Sequence, residues 1–213
     1  MVKALRFMGA LAGVLVGVYG GLLPGVWGEE HSTPSTPSVS SGPSIYDLRT
    51  RWKTTDNRET PISVARGSWA IMAMVYTSCP HACPMTISKI QTIEKALRQA
   101  GVTSLKMVLA SFDFKNDRPE KLKKFQIARH LDASQWILLA PRSDADAREL
   151  AVALGISYRP VGKRDYSHSN VISLLDENGV VVAKIDSLSA STEVFVEAVK
   201  KSRSLTPPST GHE

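Results

Sequence analysis

Apolar positions between residues 69 and 201 alternate between two patterns. Trp69 to Tyr76 (WAIMAMVY) is an unbroken apolar run of strand length, suited to a strand buried on both faces. From Pro84 to Ala100 the period becomes helical. Ile87, Ile90 and Ile93, or Ile87, Ile90 and Leu97, share one face, and Gly101 stands where a C-terminal cap belongs. Leu105 to Phe112 is a second strand, Pro119 to Leu131 a helix, and Trp136 to Ala140 a short strand. Ala145 to Leu154 is a helix ended by Gly155. Val171–Leu175 and Val180–Ile185 are strands joined by Asp176-Glu177-Asn178-Gly179, a strong hairpin turn signal. Ser191 caps a last helix, Glu193 to Lys201.

The order is βαβ, closed by an antiparallel hairpin and a helix. It carries two cysteines where the first central strand meets its helix. That combination predicts an α/β fold: a thioredoxin-like three-layer sandwich with a central mixed sheet and a C-terminal β-hairpin plus helix.

The flanks follow other patterns. Lys3 and Arg6 precede an uncharged stretch from Phe7 to Gly28, which Glu29-Glu30 end. Residues 1–28 therefore predict a signal peptide or a membrane anchor. Gly25-Val26-Trp27-Gly28 offers a small residue for cleavage. Gly9, Gly13, Gly17 and Gly21 have the spacing at which membrane helices pack. Residues 29–43 (EEHSTPSTPSVSSGP) form a Ser/Thr/Pro-rich linker, 44–203 the folded domain, and 204–213 a polar, disordered tail. The domain is expected outside the cytoplasm, periplasmic or on the outer face of the cytoplasmic membrane.

Composition narrows this little. The 213 residues are 43% hydrophobic and 22% charged, as a globular domain requires. The net charge of +6 is compatible with an anionic membrane surface or an acidic partner. Its Lys and Arg are scattered, and no nucleic-acid motif accompanies them.

Chemistry concentrates at Cys79 and Cys83, the only two cysteines, within Thr77-Ser78-Cys79-Pro80-His81-Ala82-Cys83-Pro84-Met85. A disulfide across so short a loop would constrain the unfolded chain little, so a structural role is disfavoured. Two uses remain, a disulfide switch and a soft-metal clamp. Spacing i, i+4 places both sulfurs on one face of a first helical turn, where the helix N-terminus favours thiolate. Two thiolates select Cu(I), and an added imidazole lets the site hold Cu(II) as well. Of the histidines, His31 lies in the linker, His212 in the tail, and His130 on an exposed helix end. His81 points away from the cysteine face. His168, in Tyr166-Ser167-His168-Ser169 before the Val171 strand, is the candidate, because the loop entering that strand lies opposite a dithiol helix in a thioredoxin-like fold.

These segments resemble the Sco/SenC family of copper chaperones over nearly the whole domain. Tyr76-Thr77-Ser78-Cys79-Pro80 to Cys83-Pro84-Met85 is similar to that family's CPxxCP motif. Ser111-Phe112-Asp113 with Asp117 and Pro119-Glu120 is similar to its acidic segment, and Ser167-His168-Ser169 to its histidine motif. The resemblance implies copper bound by Cys79, Cys83 and His168. It implies delivery of copper to the Cu-A centre of a cytochrome c oxidase subunit, or reduction of its cysteines, with other copper chaperones or thioredoxin-like reductants as partners. Phe114 departs from the family's proline, His81 from a frequent acidic residue, and Ser167 from a frequent aspartate. Asp113 and Asp117 are accordingly expected to be structural or partner-contacting, and Met85 to pack in the core.

A metallochaperone is favoured over an enzyme. The alternative is a thiol–disulfide oxidoreductase that attacks through Cys79. His168, the three-residue spacing between the cysteines and the lack of a proline directly before Val171 argue for the chaperone. A peroxide-reducing enzyme is a weaker third reading, since no peroxidatic motif surrounds either cysteine.

Overall fold

The computed structural model describes residues 42–79, 82–162 and 165–205. The predicted signal or anchor, most of the linker, His31, His81 and the residues of the tail from 206 lie outside the described residues. Among the described residues, no helix is long and apolar enough to cross a membrane.

The strands, in chain order, are β1 (Arg51–Thr54), β2 (Glu59–Pro61), β3 (Trp69–Val75), β4 (Leu105–Ser111), β5 (Trp136–Pro141), β6 (Tyr158–Pro160), β7 (Tyr166–His168), β8 (Ile172–Leu175) and β9 (Val181–Ile185). The helices are α1 (Ala82–Gln99), α2 (Pro119–Ala128), α3 (Asp144–Leu154) and α4 (Glu193–Leu205). Seven strands form one mixed sheet in the order β2-β1-β5-β4-β3-β8-β9, and β6 and β7 form a separate two-stranded ribbon. The parallel core, β3 beside β4 and β4 beside β5, comes from the two βα crossovers. β8 then pairs antiparallel with β3, and β9 with β8.

Every residue of β3 and β8 is buried, as their continuous apolar runs require. Ile87, Ile90, Ile93 and Leu97 are buried along one side of α1. The turn between β8 and β9 follows its sequence: Asp176 Oδ1 accepts the Asn178 and Val180 amides, and Gly179 sits at φ 88°. Ser191 Oγ accepts the Glu193 amide at the start of α4. The expected α/β sandwich with a mixed sheet and a closing hairpin and helix is thus observed.

Three expectations need correction. α2 ends at Ala128 rather than Leu131, because the chain turns left-handed at His130 (φ 53°). α4 runs on to Leu205, two residues beyond the expected domain end. β1, β2, β6 and β7 carry no apolar run and were not expected. β1 buries only Trp52 and lies antiparallel between β5 and the edge strand β2.

Candidate functional site

β3 sets the position of the cysteines. Its last paired residue is Val75, and Tyr76 then turns the chain toward α1. The Tyr76 carbonyl accepts two bonds, from the Cys79 amide at 3.2 Å and from the Cys83 thiol at 3.3 Å. The Cys83 amide in turn donates to Cys79 Sγ at 3.4 Å. The two sulfurs are thiols, not a disulfide, and both residues are buried. Cys83 is the second described residue of α1. Cys79 Sγ takes the capping role of accepting an amide near the helix start.

The expectation of thiolate character fails at Cys83. Burial pushes its thiol well above the ordinary cysteine range, and the neighbouring Cys79 pushes the same way. Desolvation outweighs the helix N-terminus here, because a thiolate at this depth loses its water.

The acidic segment braces the cysteine loop from below. Asp117 is buried, and its carboxylate accepts the Thr77 amide at 2.8 Å, the Thr77 hydroxyl at 2.5 Å, the Ser111 hydroxyl at 2.7 Å and Lys121 Nζ at 3.2 Å. Lys121 also donates to Ser78 Oγ at 3.0 Å. Asp113, fully buried, accepts the Asn116 side chain and, at 3.1 Å, the Tyr166 hydroxyl. Both aspartates have filled internal bonds, the structural role that was expected of them.

His168 arrives by strand register. β8 runs antiparallel to β3 with Ile172 opposite Ala73. Residues just before β8 therefore return to the end of β3 that Tyr76 leaves. His168 lies on β7, paired with Tyr158 of β6, and not in an open loop. Its ring centroid stands 5.8 Å from that of Tyr76, nearly perpendicular, and 5.3 Å from that of Phe112. Its Nδ1 lies 3.0 Å from the Ser169 carbonyl. A carbonyl only accepts, so this bond places a proton on Nδ1, and in the neutral ring the lone pair is then on Nε2. That arrangement prepares an imidazole for a metal.

Among the described residues, no three His, Cys, Asp or Glu side chains stand close enough to hold a metal ion together. Cys79, Cys83 and His168 are brought to one end of the sheet, with Tyr76 in contact with both sides, but not into a closed set. Met85, expected in the core, is 59% exposed. It follows Cys83 by two residues, so the helix turns it away from the buried face that Cys83 occupies. His130 is exposed as expected.

The aromatic surround of His168 was missed. Phe112 stacks on Tyr158 at 4.7 Å between centroids, and Tyr166 meets Phe112 at 5.3 Å and Tyr76 at 5.2 Å. The sequence carried one usable signal: Tyr158, Tyr166 and His168 flank a stretch with no apolar run, where aromatic side chains need a partner elsewhere.

A model of the family described as SCO1/SenC matches residues 43–203. A SCO1 protein homolog of Bacillus subtilis (strain 168) is 23% identical over 129 residues, 60% of this chain, and the chain spans 66% of that relative's length. The fold is shared with a SCO1/SenC family lipoprotein of Bacillus anthracis str. Ames (TM-score 0.64, 22% identity, 74% of this chain and 95% of that one). It is shared equally with Arabidopsis thaliana ScoI, solved with copper bound (TM-score 0.63, 20% identity, 76% of this chain and 98% of that one).

Proposed function

Because the chain belongs to the SCO1/SenC family, we propose that it is an exported metallochaperone whose cargo is copper, taken by Cys79, Cys83 and His168. The observation that carries this reading is the state of His168. The Ser169 carbonyl fixes its Nδ1 proton, so Nε2 of the neutral ring offers a lone pair at the end of the sheet where the Tyr76 carbonyl holds the Cys79 amide and the Cys83 thiol. Two sulfurs and one imidazole form a soft donor set for Cu(I) that also accepts Cu(II). Three protein ligands leave a position open to an incoming donor, which suits an ion that must be passed on.

Loading has two costs that the geometry makes explicit. Cys83 must release its proton, and its burial opposes that until the metal replaces it. The hairpin or the cysteine loop must also shift to bring the three donors together. The recipient in this reading is the Cu-A subunit of a cytochrome c oxidase, reached from the periplasm or from the outer face of the membrane through an N-terminal anchor.

The test is anaerobic reconstitution of the domain with Cu(I), comparing wild type with His168→Ala. Stoichiometric copper with a marked loss of affinity in the variant supports the reading. Unchanged affinity removes His168 from the site.

A second reading rests on the asymmetry of the pair. Cys83 is the deeper residue, 1% exposed against 6% for Cys79. In an oxidoreductase, Cys79 would attack a target disulfide and Cys83 would displace the reduced target. The pair would end as a disulfide, which a thioredoxin-like dithiol would then reduce. Copper-free turnover of a target disulfide would favour that reading over the first.

A further inference from the structure

We propose that Tyr76 is a positioning residue for His168, its hydroxyl latching the β6–β7 hairpin onto the segment that leads from β3 to the cysteines. In assigning the latch to copper binding, the inference rests on the function proposed above.

The hairpin is not part of the main sheet, so no strand ladder fixes its place. Among the described residues, ring packing, the Arg148 guanidinium over the Tyr158 ring and two phenol–carboxylate bonds hold it, and the two bonds run in opposite directions. Tyr76, on the body, donates to Asp165 Oδ1 of the hairpin at 2.5 Å. Tyr166, on the hairpin, donates to Asp113 Oδ1 of the body at 3.1 Å. Asp165 and Tyr166 are adjacent in the chain and stand three and two residues before His168. The imidazole is therefore held one short strand away from a double anchor.

Tyr76 is the more informative half. Its residue is 2% exposed, its carbonyl holds the Cys83 thiol, and its ring stands across that of His168. One residue thus touches both halves of the site. Packing against Phe112 and His168 needs only a ring, which phenylalanine would supply. The hydroxyl adds a hydrogen bond to a carboxylate, the stronger class of such bonds. Removing it leaves the rings in place and releases the latch, together with the hydroxyl's own hydrogen bond to Cys79.

The experiment is Tyr76→Phe in the whole domain, with two readouts. Amide hydrogen exchange in the metal-free protein should quicken about three- to tenfold across residues 158–168 and stay unchanged in β3 and β4. Unchanged exchange in the hairpin overturns the latch. The second readout is Cu(I) affinity in a double-mutant cycle with His168→Ala. Tyr76→Phe should weaken binding severalfold when His168 is present and clearly less when it is absent, the remainder being the hydroxyl's bond to Cys79. An equal loss in both backgrounds overturns positioning, since the residue would then act on the cysteines or on the fold. If wild type holds no Cu(I), or His168→Ala binds as wild type does, it is the proposed function that fails. The hairpin exchange rates then decide the latch alone.

Discussion

Asp117→Asn isolates the brace beneath the cysteine loop. The native carboxylate accepts four bonds, two on each oxygen. An amide keeps one acceptor oxygen and turns the other into a donor. If the new NH2 replaces Oδ2, it faces the Thr77 amide, which cannot accept. If it replaces Oδ1, it faces Lys121 Nζ, which cannot accept either. The second orientation is the milder, because Lys121 is 40% exposed and can swing into water, and the Thr77 hydroxyl can rotate to accept. Even then the ion pair is lost and the bonds that remain lose their charge assistance. At about 1.5–3 kcal/mol for each bond to a charged group, losing the equivalent of two costs about 4 kcal/mol. For a domain of this size that lowers Tm by roughly 8–16 °C. Thermal unfolding followed by circular dichroism measures it, and the rate of Cys79 modification by a small thiol reagent should rise in parallel. Lys121→Met is the control. It removes one half-exposed donor, leaves three, and should cost only about 1 kcal/mol. A loss under about 2 °C for Asp117→Asn, or equal losses for the two variants, would refute the brace.

Three other outcomes follow from the same coordinates. Cys83 stays protonated in the fold above the ordinary cysteine range, whereas the unfolded chain ionises near ~8.5, so this thiol favours unfolding as pH rises through that value. Denaturant titrations of the reduced domain should show roughly 1.4 kcal/mol less stability at pH 9.5 than at pH 7 from this group, and a Cys83→Ala variant should lack that decrement. Gly179→Ala forces a side chain into a left-handed residue and against the Tyr46 ring. It should cost about 2 kcal/mol or more, and an unchanged Tm would show that the turn can relax. Met85→Gln should leave stability within about 0.5 kcal/mol, as befits an exposed side chain, whereas the core packing expected from sequence would make the same change cost about 2 kcal/mol.

Elements that bury long apolar runs were legible from the chain alone. β3, β4, β8 and α1 were placed to within about two residues, because burial on both faces or along one stripe writes itself into the sequence. β1 and the β6–β7 hairpin were not, since their residues are held by pairing and by rings contributed from elsewhere. At the site, Cys79 and Cys83 were identified from their spacing, and His168 from the loop position a thioredoxin-like fold assigns it. Their state was not legible. Cys83 was expected to be acidic from its helix position, and only the depth of its burial, a property of the assembled core, reverses that. Met85 was misplaced for a different reason: it stands two residues from both Cys83 and Ile87, and so on the side of α1 opposite the buried stripe.

The pairing of Ala73 with Ile172 also bears on the life of the chain before it is folded. The two strands that bring thiols and imidazole together are separated by about a hundred residues, and contacts of such range form late. A newly made chain therefore carries both thiols, unburied and unpaired with any imidazole, until β8 docks on β3. Oxidants reach the thiols of an unfolded chain more easily than those of the finished fold, where both cysteines are buried. Slower pairing of these two strands would lengthen the time the thiols spend exposed.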